Sequence, residues 1–254
     1  MNSYPPMVKA AIERPYEFRF GDYISNGFKI IQNNLGLFIV FALVYFTAMV
    51  VCQVIPFIGP LAGSLIVTPC LTAGFYLAAK RSDEGKTFEF NEFFRGFDFL
   101  GPLIVLALIQ GAIIIAAMLP MIFGMVATIG FSGLEDGGDP EFSPIFLLIG
   151  FLFMLPIFYL LISWVFAPFL VIFHKMEAWP ALEASRKIVS QNWFIYLGFA
   201  MVTGILASVG LLALGVGLLF TVPASMAMTF SAFRDIVGIP GDEGDDAIEH
   251  FLVD

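Results

Sequence analysis

Gly130-Phe131-Ser132-Gly133 is the one string in the chain with the look of a catalytic element, a Gly-x-Ser-Gly sequence of the kind that surrounds some intramembrane serine nucleophiles. A serine hydroxyl attacks only when a general base lies within hydrogen-bond reach. The candidate bases are His174 and His250. The threading derived below puts Ser132 near one membrane face and His174 near the other, roughly 30 Å apart across the hydrocarbon. The string therefore reads as coincidence, and no catalytic residue is assigned. Two acidic stretches offer oxygen ligands: Glu135, Asp136, Asp139 and Glu141, and a tail with Asp242, Glu243, Asp245, Asp246, Glu249 and Asp254. Neither follows the Asp-x-[Asp/Asn]-x-[Asp/Asn]-Gly spacing of a calcium loop. They read as solvated segments, and neither a metal nor a cofactor is expected. Cys52 and Cys70 fall on adjacent spans at depths that differ by ~13 Å at the helical rise, beyond the roughly 7 Å Cα separation a disulfide allows.

Pumps and ion-coupled carriers keep ionisable groups inside the bilayer, because charge there is costly and retained for a task. No apolar run of this chain contains one. The polar groups at membrane depth are alcohols and amides, among them Thr47, Gln53, Thr72, Gln110, Ser163 and Thr203, suited to hydrogen bonds between helices. Proton-coupled transport is disfavoured on that ground. The net charge of −9 disfavours a nucleic-acid role.

The elements that must position these groups follow from the charge pattern. Only 13% of the 254 residues are charged and 59% are hydrophobic, against about 25% charged in soluble domains. Uncharged tracts run over Ile30–Ala79, Phe99–Leu134, Phe142–Phe173 and Ile188–Phe233. A span needs about 20 apolar residues, so the first and last tracts each hold two spans and the middle ones hold one each. The expectation is an all-α integral membrane protein with six transmembrane helices, at about 35–55, 59–79, 100–122, 145–173, 194–213 and 216–233. A polar leader, 1–17, precedes this 18–236 domain, and an acidic tail, 237–254, follows it. No cleavable signal is visible ahead of the first span.

All 12 lysines and arginines fall in four clusters: Lys9 to Lys29, Lys80 to Arg95, Lys175 to Lys187, and Arg234. Six crossings put every cluster on one side. The lysine and arginine bias makes that side cytoplasmic, with both termini inside.

The chain also aligns with itself. Lys29, Ile30 and Asn34 meet Lys187, Ile188 and Asn192; after a gap of four residues Gly63, Pro69, Tyr76 and Lys80 meet Gly217, Pro223, Phe230 and Arg234. A weaker middle copy sets Phe94-Arg95 over Phe28-Lys29, with Pro168 in its second span. Three parallel helix-hairpin repeats are expected, each an amphipathic helix, a span out and a proline-broken span back. Pro69, Pro168 and Pro223 are the expected helix kinks, since each removes a backbone bond. Lys29, Arg95, Arg186 and Lys187 are the expected lipid-headgroup contacts, because cationic amphipathic helices settle among anionic headgroups.

Phe90-Asn-Glu-Phe-Phe-Arg-Gly-Phe97, Phe166-Ala-Pro-Phe-Leu170, Ala181-Leu-Glu-Ala-Ser-Arg-Lys187 and Thr229-Phe-Ser-Ala-Phe-Arg-Asp-Ile236 together resemble a group of bacterial six-span membrane proteins of unknown function. Those are in turn similar to the membrane domain attached to some glycerophosphoryl diester phosphodiesterases. The resemblance implies a helical membrane fold. The phosphodiesterase activity belongs to a separate soluble domain for which this sequence has no room, so it is not carried over.

Function is expected to be non-enzymatic: an accessory or scaffold subunit whose partners are the lipid bilayer and another membrane protein, or further copies of itself. The alternative is a transporter or lipid-handling protein for an amphiphilic cargo, with a path between the proline-broken hairpins.

Overall fold

In the computed structural model, residues 4–135, 144–213 and 215–241 are described. Asp136, Asp139 and Glu141 of the acidic loop, and the tail from Asp242 with His250, lie outside them. Among the described residues all regular structure is helical: α1 Pro6–Glu13, α2 Phe20–Asn33, α3 Leu35–Val54, α4 Ile58–Ala62, α5 Thr68–Asp83, α6 Leu100–Glu135, α7 Pro144–Ser163, α8 Ala167–Phe173, α9 Ala178–Ser190, α10 Trp193–Val209 and α11 Leu218–Ile236. A π-helical turn, Gly63–Val67, joins α4 to α5, and 3₁₀ segments occupy Phe90–Phe99 and Gly210–Ala213.

Among the described residues five helical stretches are long and apolar enough to cross a bilayer: Leu35–Val54, Ile58–Asp83, Phe90–Gly124, Phe151–Phe173 and Trp193–Ala213. The chain is a multi-pass membrane protein on that evidence. The run expected as the sixth span forms α11, which is helical but is not among the five, and its last turn carries Arg234 and Asp235. It is also an interior element, with Pro223, Ala224, Ala227, Met228, Phe230 and Phe233 all buried.

Of the three expected kink prolines, Pro168 falls at a break between helices, and Pro69 and Pro223 fall within helical stretches. Pro69 sits in the first turn of α5, directly after the π-helical turn. The helix is continuous from Ile58 to Asp83, so the missing N–H of Pro69 leaves one bond of the ladder unmade. Pro168 opens α8, after the chain breaks at residues 164–166. Pro223 lies inside α11, and Pro120 and Pro156, which the repeat pattern does not single out, lie inside α6 and α7.

Lipid tails are as apolar as leucine side chains, so spans associate through close packing and hydrogen bonds instead of hydrophobic burial. Both are present. The backbones of α5 and the 3₁₀ segment approach so closely that a Cβ on Gly74 would strike the Phe93 carbonyl, and one on Gly96 would strike the Cys70 carbonyl. Where α5, α8 and α11 come together, fully buried Phe169 lies with its ring centroid 4.0 Å from Tyr76 and 4.7 Å from Phe233.

The tightest pairings are α5 on Phe90–Phe99 and α11 on α2, so the last helix closes against an early one, and α8 packs on α9. The breaks between elements are satisfied by serines from a neighbour. Ser185 Oγ of α9 donates to the Ser163 carbonyl at 2.7 Å and accepts from the Phe166 N–H at 3.1 Å, bridging the gap between α7 and α8. Ser82 Oγ of α5 donates to the Ile30 carbonyl at 2.6 Å and accepts from Asn34 Nδ2 at 3.0 Å, bridging α2 and α3.

Candidate functional site at the charged end of the bundle

The charged segments are tied to one another. Arg19, ahead of α2, pairs with Asp235 of α11; Arg234 pairs with Asp83 at the end of α5; Arg81 lies 3.4 Å from Glu92 of the 3₁₀ segment. The leader takes part as well. Val8 of α1 is fully buried, the Tyr16 hydroxyl donates to the Ile188 carbonyl at 3.1 Å, and Gln191 Nε2 donates to the carbonyls of Ala11 and Ile12. His174, the candidate base of the serine string, has Nε2 3.1 Å from the Gly238 carbonyl. Gly130–Gly133 lies within α6.

The four candidate headgroup cations divide three to one. Arg95 is 3.0 Å from Glu92, one turn before it. Arg186 makes a forked contact with Glu183, at 2.8 and 3.1 Å, and those hydrogen bonds hold the Glu183 carboxyl below its ordinary range. Lys187 lies 3.6 Å from Glu183 and reaches Tyr4, whose hydroxyl is 3.4 Å away and whose ring lies beneath the ammonium. Lys29 makes no ion pair or hydrogen bond among the described residues. The cause is local: at three and four residues before it stand Asn26 and Ser25, where Arg95 and Lys187 have Glu92 and Glu183. Oppositely charged residues pair at those spacings on a helix.

Lys29 lines a cavity of about 360 Å³ between α2 and the ends of α11 and α5. One wall is the stripe Asp22, Ser25, Asn26 and Lys29, spaced i, i+3, i+4, i+7 and so aligned on one face of α2. The opposite wall holds Ser231 and the two ion pairs Arg19–Asp235 and Arg234–Asp83. Tyr23 Oη donates to Asp235 Oδ2 at 2.6 Å. Burial first, then that carboxylate, push the Tyr23 phenol well above its ordinary value, so it stays a donor. Every lining side chain is polar, which suits a hydrated headgroup or a small polar solute and not a hydrocarbon tail.

Among the described residues no group of three or more His, Cys, Asp or Glu side chains is placed to hold a metal ion. No family model matches the chain, and no curated protein or solved structure matches it either.

Sequence reasoning named Lys29 as a headgroup contact but did not register the residues around it. Asp235, Asp83 and Arg19 come from segments more than 150 residues apart in their pairings. The available signal was the Arg234-Asp235 dipeptide at the end of the last apolar run, where a buried-end charge needs a partner.

Proposed function

We propose that this chain is a non-enzymatic multi-pass membrane protein, an accessory or scaffold subunit that binds other membrane proteins. The observation that carries it is the aromatic seal where the returning helices meet: Phe169, Phe230 and Phe233 are fully buried there with Tyr76 beside them. A carrier needs a path along that line, and the rings fill it. By contrast, the outer parts of the spans are left uncovered. Val54, Phe57 and Ile58 at the α3–α4 turn, and Leu212 and Val216 before α11, are exposed apolar side chains that only lipid or another membrane protein covers.

The proposal includes six crossings, with α11 as the sixth, and kinship in fold with the six-span bacterial proteins. It includes cytoplasmic placement of every cation and of both termini, in a bacterial inner membrane. It also includes three parallel hairpin units. In support, α5 leans on Phe90–Phe99, α8 on α9 and α11 on α2, so each unit's returning helix meets the next unit's amphipathic element and the third closes on the first. The close contact of Gly27 with Met228 also corresponds, in the repeat alignment, to that of Phe93 with Gly74, with the small residue on the opposite partner.

The test is the native mass of the full chain extracted in mild detergent, compared with a variant lacking residues 241–254. The reading expects a defined complex for the full chain, reduced or lost in the variant. A lone monomer under every mild condition counts against it.

A further inference from the structure

The cavity between α2 and α11 carries a more specific reading than its position alone gives. Its ten lining residues include three cations and three carboxylates, so it is neutral overall. Two of each are already matched: Arg19 by Asp235 and Arg234 by Asp83. One cation, Lys29, and one carboxylate, Asp22, remain, both exposed and neither in a direct ion pair or hydrogen bond among the described residues, with Asp22 sharing the charge of Arg19 only through space and after Asp235. They stand seven residues apart on one face of α2, about 10 Å along the helix axis. Ser25 and Asn26 lie between them, and Ser231 faces them from α11.

A simple anion fits this site poorly, because it meets Lys29 together with an unmatched Asp22. A simple cation fails for the mirrored reason. A solute that brings one phosphate and one ammonium matches both ends. Its phosphate takes the Lys29 ammonium and the hydroxyl and amide donors of Ser25, Asn26 and Ser231, while its ammonium donates to Asp22. Charge-assisted hydrogen bonds of this kind are the strong ones. The amphipathic setting supports the same ligand: α2 leads directly into the span α3 through Asn34, so the cavity sits where a span begins, at headgroup level.

We propose that this cavity binds a small zwitterionic ammonium phosphate, such as the headgroup of an ethanolamine phospholipid or the same group free in solution, with Lys29 as the phosphate contact and Asp22 as the ammonium contact. The assignment goes beyond the scaffold reading and does not depend on it, since it concerns a cavity within one chain.

The experiment is native mass spectrometry of the full chain in mild detergent. It is offered phosphatidylethanolamine or phosphatidylglycerol of matched acyl chains, with and without soluble phosphorylethanolamine. Preferential retention of the ethanolamine lipid is expected. Lys29→Gln lowers that retention about tenfold, the loss of one charge-assisted bond. Asp22→Asn abolishes the preference over phosphatidylglycerol, and Lys9→Gln, an exposed change on α1, leaves retention unaltered. Displacement by phosphorylethanolamine assigns the site to the free solute as well as the lipid; failure of displacement assigns it to the lipid alone. Equal retention of both lipids by the unaltered chain, or retention that Lys29→Gln leaves unchanged, overturns the proposal.

Discussion

Asn34 and Asn192 hold nearly the same backbone conformation, φ −139° and ψ 43° at the first, φ −131° and ψ 39° at the second. Each stands where an amphipathic helix gives way to a span. Each also sends its side-chain amide to another element: Asn34 Nδ2 donates to Ser82 Oγ at 3.0 Å, and Asn192 Nδ2 donates to the Tyr16 carbonyl at 3.1 Å. The two asparagines lie opposite each other in the self-alignment of the chain.

Asn34→Ala and Asn192→Ala are therefore expected to destabilise by similar amounts, about 1 kcal/mol each for one net hydrogen bond. Thermal unfolding in detergent measures both. A neutral result at one site with a large loss at the other would separate the two junctions.

Ser185→Ala is expected to cost more. The side chain is fully buried and serves two backbone groups at once, the Ser163 carbonyl and the Phe166 N–H. Leaving buried polar groups unsatisfied costs about 1–3 kcal/mol. Ser208→Ala is the control, because Ser208 bonds only the Gly204 carbonyl of its own helix and is exposed. Equal stability for the two variants rejects the bridging role.

Gly74→Ala is expected to loosen α5 from the Phe90–Phe99 segment, since the added methyl meets the Phe93 backbone carbonyl and not a movable side chain. Overpacking of this type costs about 1–3 kcal/mol. Gly101→Ala, which meets nothing within 4 Å, is expected to be close to neutral. A Gly74→Ala protein as stable as Gly101→Ala contradicts the close approach.

Much of this was legible in the chain. The helices near 35–55, 59–79 and 194–213 fall where long uncharged tracts leave little choice, within a few residues of α3, the α4–α5 stretch and α10. Pro168 marks where a new helix opens, although the sequence does not show that Ser185, 22 residues beyond Ser163, fills the gap. The leader reads as polar, yet α1 buries Val8 and Ala11, because a helix of 8 residues is too short for its apolar period to register. The pairing of Lys187 and Arg95 with glutamates one turn away was open to a helix-spacing argument. The cavity around Lys29 was not, since its far wall comes from the other end of the chain.

Alkaline pH tests the docking of the leader. Burial, partly offset by its contact with Asn192, pushes the Tyr16 phenol from 10.0 up to about 12. A folded-state value above the unfolded one means that the contribution is fully present below pH 10 and is lost as pH rises towards 12. The unaltered protein should thus lose more stability over that window than Tyr16→Phe does. Parallel pH profiles remove Tyr16 from this role.

The central claim is that the chain crosses the membrane with all of its cations on the inner face. Single cysteines placed by Lys86→Cys, Arg186→Cys and Phe57→Cys, in a background with Cys52→Ala and Cys70→Ala, test it in intact cells with a membrane-impermeant thiol reagent. Phe57 is 92% exposed at the α3–α4 turn and is expected to label from outside, whereas positions 86 and 186 label only after permeabilisation. Labelling of Lys86→Cys or Arg186→Cys in intact cells contradicts the threading and every location derived from it.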